Sequence, residues 1–306
     1  MRQILPLLPL LAACLFSSCV HQGRSVAQPA VTAPTLPLTT RFRGENTFRS
    51  LQARARAENW TARPIGPRAL AVATAMLGTP YQNWTLEIDD HIEAPSVNFT
   101  GLDCWTAYEI PLAFARMIGE KPGPWQADDL LKWIEAERYR NGRCDGTYLS
   151  RMHYLEEVFH DNQRRGLAEN ITSSLPGAVR LQRHIADMSR DWPRYRYLRA
   201  NPAQVPGITA MEARVSNLPV WYIPKDRVAA IEPLLQPGDI IAITGTSPHS
   251  YTTHVGMAAP QGNGTTRFLH ATSDGTKGRR TILDGRISAY LAASATHTGI
   301  IICRPW

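Results

Sequence analysis

The hexapeptide Gly101-Leu102-Asp103-Cys104-Trp105-Thr106 constrains this chain more than any other stretch. A small-residue turn delivers one cysteine between an acid and an aromatic, and an amphipathic run follows it. Trp105, Tyr108 and Leu112 recur at helical spacing, which predicts a helix beginning at the cysteine. Pro111 opposes that helix, since an interior proline costs about 3 kcal/mol. A thiol at a helix N-terminus sits among unpaired N–H groups at the positive end of the backbone dipole. Both effects favour the thiolate, the form that attacks carbon, and they mark Cys104 as a candidate nucleophile. A free cysteine is otherwise a small buried hydrophobe, so the assignment depends on a base supplied from elsewhere.

Candidate bases appear in the C-terminal third. Gln236-Pro237-Gly238-Asp239 is a tight turn, and Ile240 to Thr244 follows as a short buried strand. His254 opens the next strand, through Ala258, and His270 lies inside a third, Phe268 to Ser273. Gly299 to Cys303 closes a sheet of five or six antiparallel strands. Neighbouring antiparallel strands bring His254 and His270 together where their register allows. A thiol of ordinary pKa is only a few per cent ionised at neutral pH, and an imidazole that takes its proton corrects this. That imidazole must itself be held in one tautomer by a third polar group. Cys104, His254 and His270 can fill the three roles; zinc held by the same three is the competing use.

The chain opens on Met1-Arg2-Gln3 and an apolar run to Phe16, too short for a membrane span of about 20 residues. It has the form of a secretory leader ending in cysteines. Residues 1–19 are expected to be a lipoprotein-type signal, with Cys19 (or Cys14) as the lipidated residue. Residues 20–60, rich at first in Pro, Ala, Thr and Gln, are expected to be a tether, and 61–306 one catalytic domain. The formal charge is +7, and removing Arg2 leaves +6. Without a basic helix carrying interleaved aromatics, that charge suits an anionic envelope and not nucleic acid. Cys144 and Cys303 are the remaining cysteines. They could pair, and no CxxC spacing suggests structural zinc.

Arg68 to Leu77 predicts a helix closed by Gly78, and Thr79-Pro80-Tyr81 starts an extended segment running to Leu86 with Glu87 as a polar handle. Residues from about 119 to 233 read as a polar, mostly helical insertion packed on the catalytic core. Its Arg138-Tyr139-Arg140 and Ser150-Arg151-Met152-His153-Tyr154 runs could clamp a carboxylate or a sugar acid through guanidinium groups.

The order Gly-Thr-Pro-Tyr, Asp-Cys-Trp, Pro-Gly-Asp-Ile-Ile, His-Val-Gly-Met-Ala and Leu-His-Ala-Thr-Ser resembles the NlpC superfamily of papain-like cysteine peptidases and amidases. Thr85-Leu86-Glu87, the two arginine runs above, Asp161-Asn162 and Tyr222-Ile223-Pro224-Lys225 are similar to its N-acetylmuramoyl-L-alanine amidase-like branch, over roughly residues 71–304. The resemblance implies an α+β, papain-like (NlpC-type) core: a helix-initial cysteine packed on a small antiparallel sheet, plus the helical insertion. It implies Cys104 as nucleophile, His254 as base and His270 as the orienting third member. Tyr81 would line the cleft near the oxyanion, and the Cys104 N–H would be an oxyanion donor. Asp103 would orient the site or cap the helix, and Glu87, Arg140 and Arg151 would touch substrate. The implied activity is hydrolysis of the amide between (anhydro-)N-acetylmuramic acid and L-alanine, without cofactor or metal. Its partners would be peptidoglycan or muropeptide and, through the lipid, the membrane of a bacterial envelope facing the periplasm. A D-glutamyl-diaminopimelate endopeptidase and a non-catalytic wall-binding lipoprotein are the alternatives.

Overall fold

The computed structural model describes residues 35–306, so the leader with Cys14 and Cys19 lies outside the described residues. The tether expected over 20–60 does not extend as far as 60. Leu38–Arg41 (α1), Phe42–Arg43 (β1) and Glu45–Ala57 (α2) are folded, followed by a tight turn at Trp60–Ala62. Phe48, Leu51 and Ala55 line one face of α2 and are buried with Phe42 and Trp60, while its arginines stay outside. Burial of those aromatics joins this segment to the core that packs under the cysteine helix.

Ile65–Ala75 (α3) starts three residues earlier than expected and ends at a turn where Gly78 takes φ +88°. The stretch after it is not extended. Tyr81 makes only an isolated bridge to Leu102, and residues 83–86 form a turn. Val97–Asn98 (β2) runs parallel to β1. The cysteine helix, Thr106–Glu120 (α4), packs along α3, and its Leu112, Ala115 and Tyr108 face the sheet.

Residues 119–233 are less helical than expected. Ala127–Arg138 (α5) and Leu155–Arg164 (α6) lead to Ala168–Asn170 (β3) and Val179–Leu181 (β4). Asp187–Arg190 (α7), Arg196–Ala200 (α8) and Val205–Ser216 (α9) then lead to Val220–Pro224 (β5) and Lys225–Ile231 (α10). The three strands are too short to show a period, yet they join the main sheet and so tie this region to the core.

The remaining strands are Ile240–Gly245 (β6), Thr252–Pro260 (β7), Thr266–Ala271 (β8), Thr281–Arg286 (β9) and His297–Pro305 (β10), with Ile287–Ala292 (α11) before the last. Strand order is β4-β5-β10-β6-β7-β8-β9, with β3 also on β10, and every pairing in this eight-stranded sheet is antiparallel. The expected five or six strands thus become eight. Both faces are covered, so β6 and β10 carry continuous apolar runs, Ile240–Ile243 and Ile300–Cys303. Ile240, Ala242, Ile301 and Cys303 meet α3 and α4, whereas Ile241, Ile243, Ile300 and Ile302 meet α10 and α11. Cys104, Cys144 and Cys303 are free thiols, so Cys144 and Cys303 do not pair.

Candidate active site

Cys104 lies two residues before the first assigned residue of α4. Asp103 explains the offset. Its carboxylate accepts from the Thr106 N–H and hydroxyl, both at 2.8 Å, and from the Thr85 hydroxyl at 2.6 Å. Its carbonyl accepts the Ala107 N–H at 3.0 Å, so Asp103 caps the helix and Cys104 sits in its opening turn. Glu109, one turn on, takes the Trp105 indole N–H at 3.1 Å and a bidentate grip from Arg138, both partners being fully buried. The α4 start is thereby pinned from two sides.

The thiolate expected at this helix start is not the resting form. Burial, reinforced by the Asp103 carboxylate, pushes the thiol up to about 12, against the opposing N–H groups of Val255, Trp105 and Cys104. Tyr81 lies near enough to Cys104 and Asp103 for burial and those two groups to raise its phenol to about 12.

On the sheet, β7 carries an irregularity. Ile243 pairs with His254 but Thr244 pairs with Thr252, which leaves Thr253 as the extra residue of a bulge beside the histidine. His254 Nε2 lies 2.8 Å from His270 Nδ1, and His270 Nε2 lies 3.3 Å from Asp284 Oδ2. Lys277 Nζ donates to the same Asp284 oxygen at 2.5 Å. Burial is the main reason both imidazoles titrate below 6.5, His254 well below it, with His270 and His297 adding to the effect on His254. Asp284 is raised by burial but held low on balance by Lys277, the Gly285 N–H and His270.

Protonation follows from that chain, assigned from the hydrogen-bond network. The Asp284 carboxylate can only accept, so His270 carries its proton on Nε2 and its Nδ1 accepts. His254 therefore carries its proton on Nε2, and its Nδ1 keeps a free lone pair. Tyr290 covers both rings, with centroids 6.0 Å from His254 and 5.1 Å from His270. Because the two histidine nitrogens bond to each other, they are not both available to a zinc ion.

Cys104 and His254 line one cleft of about 300 Å³, with Trp105, Tyr148, Arg151 and Tyr195 in its walls. His270 stands behind His254 and is buried. No hydrogen bond joins the Cys104 sulfur to either histidine, a looseness common in clefts without substrate. Glu87 lines the cleft but its carboxylate accepts from the Tyr148 hydroxyl at 2.5 Å and faces the Tyr197 N–H at 3.4 Å. Arg151 is buried 3.2 Å from Glu93 and 4.0 Å from Glu87, and its Nε and Nη2 find no well-directed acceptor. Arg140 is elsewhere: it pairs with Glu157 and binds the Leu149 carbonyl, away from the cleft walls. Asp284 and Trp84 were not singled out by the residue pattern. The only signal for Asp284 was a charged residue inside the short run Leu283-Asp284-Gly285.

The same fold recurs in solved structures. An N-acetylmuramoyl-L-alanine amidase from Bacteroides uniformis is 28% identical, with TM-score 0.70, over 79% of this chain and 98% of its own. A Bacteroides fragilis protein described as a candidate xylanase is 30% identical, with TM-score 0.67, over 77% and 99%. A Legionella pneumophila protein at 19% identity and TM-score 0.61, over 85% and 95%, shares the fold. No curated protein matches the chain. Fold and neighbours together define an amidase-like hydrolase. The N-acetylmuramoyl-L-alanine amidase-like (AmiA-like) family model matches residues 71–302, and the chain belongs to that family.

Proposed function

We propose that this protein is a cysteine amidase with an NlpC-type papain-like core, cutting the amide between (anhydro-)N-acetylmuramic acid and L-alanine in peptidoglycan fragments. The observation that carries the reading is the shared cleft of Cys104 and His254, with His270 and Asp284 ordering the imidazole from behind. His254 Nδ1 takes the thiol proton as sulfur bonds to the lactyl carbonyl carbon. The oxyanion that forms meets the N–H groups at the start of α4. His254 then gives its proton to the leaving alanine nitrogen as the C–N bond breaks, leaving a thioester. Water, deprotonated by the same imidazole, releases the muramic acid and restores the thiol. Arg151, with its undirected N–H groups, faces a substrate carbonyl or carboxylate from the cleft wall.

A glycosidase reading, prompted by the Bacteroides fragilis neighbour, needs two carboxyl groups free to flank the sugar bond. Three carboxylates line the cleft, and two are committed, Asp103 to Thr106 and Thr85, and Glu87 to Tyr148, which leaves Asp187 alone and no free pair. Envelope placement through a lipid on Cys19 belongs to the proposal and rests on the leader's sequence alone; palmitate label that survives Cys19→Ser would move the lipid to Cys14, and no label on the wild type would remove the placement. The function itself is tested by digesting soluble muropeptides with wild type and Cys104→Ala and weighing the products. Free stem peptide from the wild type alone supports the reading. An L-Ala-D-Glu remnant left on the sugar would assign the endopeptidase bond instead, and release that persists in Cys104→Ala would end the cysteine mechanism.

A further inference from the structure

A second chamber of about 390 Å³ adjoins the catalytic cleft, and the two share Trp84 and Glu87 as a common wall. Four guanidinium groups, Arg43, Arg194, Arg196 and Arg199, line it against a single carboxylate, Glu87. The Glu87 carboxylate accepts from Tyr148, as described, and forms no ion pair with any of the four, so one negative charge stands against four positive ones. Arg196 pairs with Asp90 at 2.5 Å, and Arg194 touches Asp191 at 3.5 Å with both side chains largely exposed. Arg43 and Arg199 have no carboxylate partner among the described residues. Arg199 reaches only the Pro193 carbonyl, at 3.4 Å. The chamber is therefore a positive recess with two uncommitted cations, next to the cleft that holds Cys104.

The dividing wall is unusual in its own right. Trp84 is 53% exposed and sits at φ +61°, a left-handed backbone that a bulky residue rarely adopts. Such a conformation costs on the order of 1–3 kcal/mol and persists where the surroundings impose it. Here the 83–86 turn, tied to Asp103 through Thr85, imposes it and stands the indole upright between the chambers, edge-on to Tyr195 at 5.6 Å. A strained, exposed indole at a cleft boundary contributes little to the core. It suits a partition against which a ligand packs.

We propose that this chamber is the subsite for the acidic peptide part of the substrate, seating two or more peptide carboxylates on its arginines while the scissile amide lies over Cys104. The assignment rests on the amidase reading and specifies which half of the substrate goes where. Guanidinium groups pair carboxylates bidentately, and several such pairs on the leaving peptide fix its direction across the partition. A neutral or amidated stem leaves the cations unpaired and binds less well.

The test compares two muropeptide substrates, one with free stem carboxylates and one amidated at them, with wild type and the Arg43→Glu/Arg199→Glu double variant. The wild type is expected to favour the acidic substrate in kcat/KM by about 10-fold, and the double variant to bring that ratio to near one. Added salt should erode the wild-type preference in the same direction. A ratio unchanged in the double variant overturns the subsite. Titration calorimetry on Cys104→Ala with the free tripeptide L-alanyl-γ-D-glutamyl-diaminopimelate and its amide reads binding without turnover. Preferential binding of the acid supports the subsite even if no muropeptide is cut, which would sink the amidase reading alone. Equal binding of acid and amide sinks the subsite alone.

Discussion

His254 Nε2 reaches to within 2.8 Å of His270 Nδ1 although the two residues are not directly opposite on β7 and β8. Gly256 is what permits it. A Cβ at that position would stand 2.6 Å from the Phe268 ring, 2.8 Å from the His270 Cβ and 2.5 Å from the Leu269 carbonyl. With no side chain there, the rings meet diagonally across the strand pair. Gly256→Ala should therefore separate them and strain the sheet, costing about 1–3 kcal/mol in stability and lowering kcat beyond what that loss explains. Thermal melts and kinetics on the same preparation check both.

The relay behind His254 predicts a graded series. His270→Ala removes the acceptor that holds the tautomer and should lower kcat by about 100- to 1,000-fold with KM little changed. Asp284→Asn keeps the shape but not the charge, and should cost about 10- to 100-fold. If Asp284→Asn left both kcat and its pH profile untouched, the carboxylate would have no part in setting the proton positions.

Acid should switch the enzyme off through His254. The neutral imidazole is the base, and its pKa is depressed well below 6.5, chiefly by burial. The kcat/KM profile should thus stay flat from pH 8 down to about 6.5 and fall only in more acid solution. Thiol reactivity should run differently. With the thiol pushed up to about 12, iodoacetamide alkylation of the resting enzyme should rise roughly tenfold per pH unit between 7 and 10 without levelling. A plateau near neutrality would mean that the thiolate forms before substrate binds.

Arg138 and Glu109 make a further prediction about the cysteine helix. Arg138 is fully buried, bonded through Nε and Nη2 to Glu109 and also to the Ser96 hydroxyl and carbonyl. Arg138→Met leaves a buried carboxylate unpaired and should cost about 3–5 kcal/mol in chemical denaturation. Adding Glu109→Met should restore most of it, since an apolar pair of similar size carries no buried charge. A double variant as unstable as the single would show that the loss came from packing.

The parts of this site legible in the sequence were those with strong local signals: a cysteine after a turn, and histidines inside apolar strand patterns. The strands carrying the histidines, β7 and β8, and their neighbours β6 and β10 lie where runs such as Ile240 to Thr244 placed them, because burial on both faces makes such runs continuous. Helix α2 was hidden by its charge. Its Phe48, Leu51 and Ala55 follow helical spacing, but five arginines nearby from Arg41 to Arg56 gave the look of a solvated tether. The strands β3, β4 and β5, at three to five residues, take their conformation from the sheet they join and carry no period of their own. The raised thiol was illegible for a different reason. Dipole and capping are local, whereas the desolvation that outweighs them comes from residues distant in the chain.

Glu156 offers the sharpest test of how buried acids tax this fold. It lies in the first turn of α6, 4% exposed, and neither carboxyl oxygen has a well-directed hydrogen-bond partner. Burial pushes it from 4.5 up to about 7, against weaker help from its own N–H, the Thr252 hydroxyl and Arg183. Because the folded pKa lies above the unfolded one, the folded protein keeps a proton between pH 4.5 and 7 that the unfolded chain has lost. Its contribution to stability is therefore intact below pH 4.5, declines as pH rises through 7, and is gone above that. Glu156→Gln removes the ionisation while keeping the shape, so it should match wild type near pH 4.5 and exceed it by up to about 3 kcal/mol at pH 8. Glu137, also raised to about 7, stays in both proteins, as do the lowered histidines, so the difference between the two melting curves isolates residue 156. A gap of the same size at both pH values would trace the effect to packing, because only a titrating group can make it grow with pH.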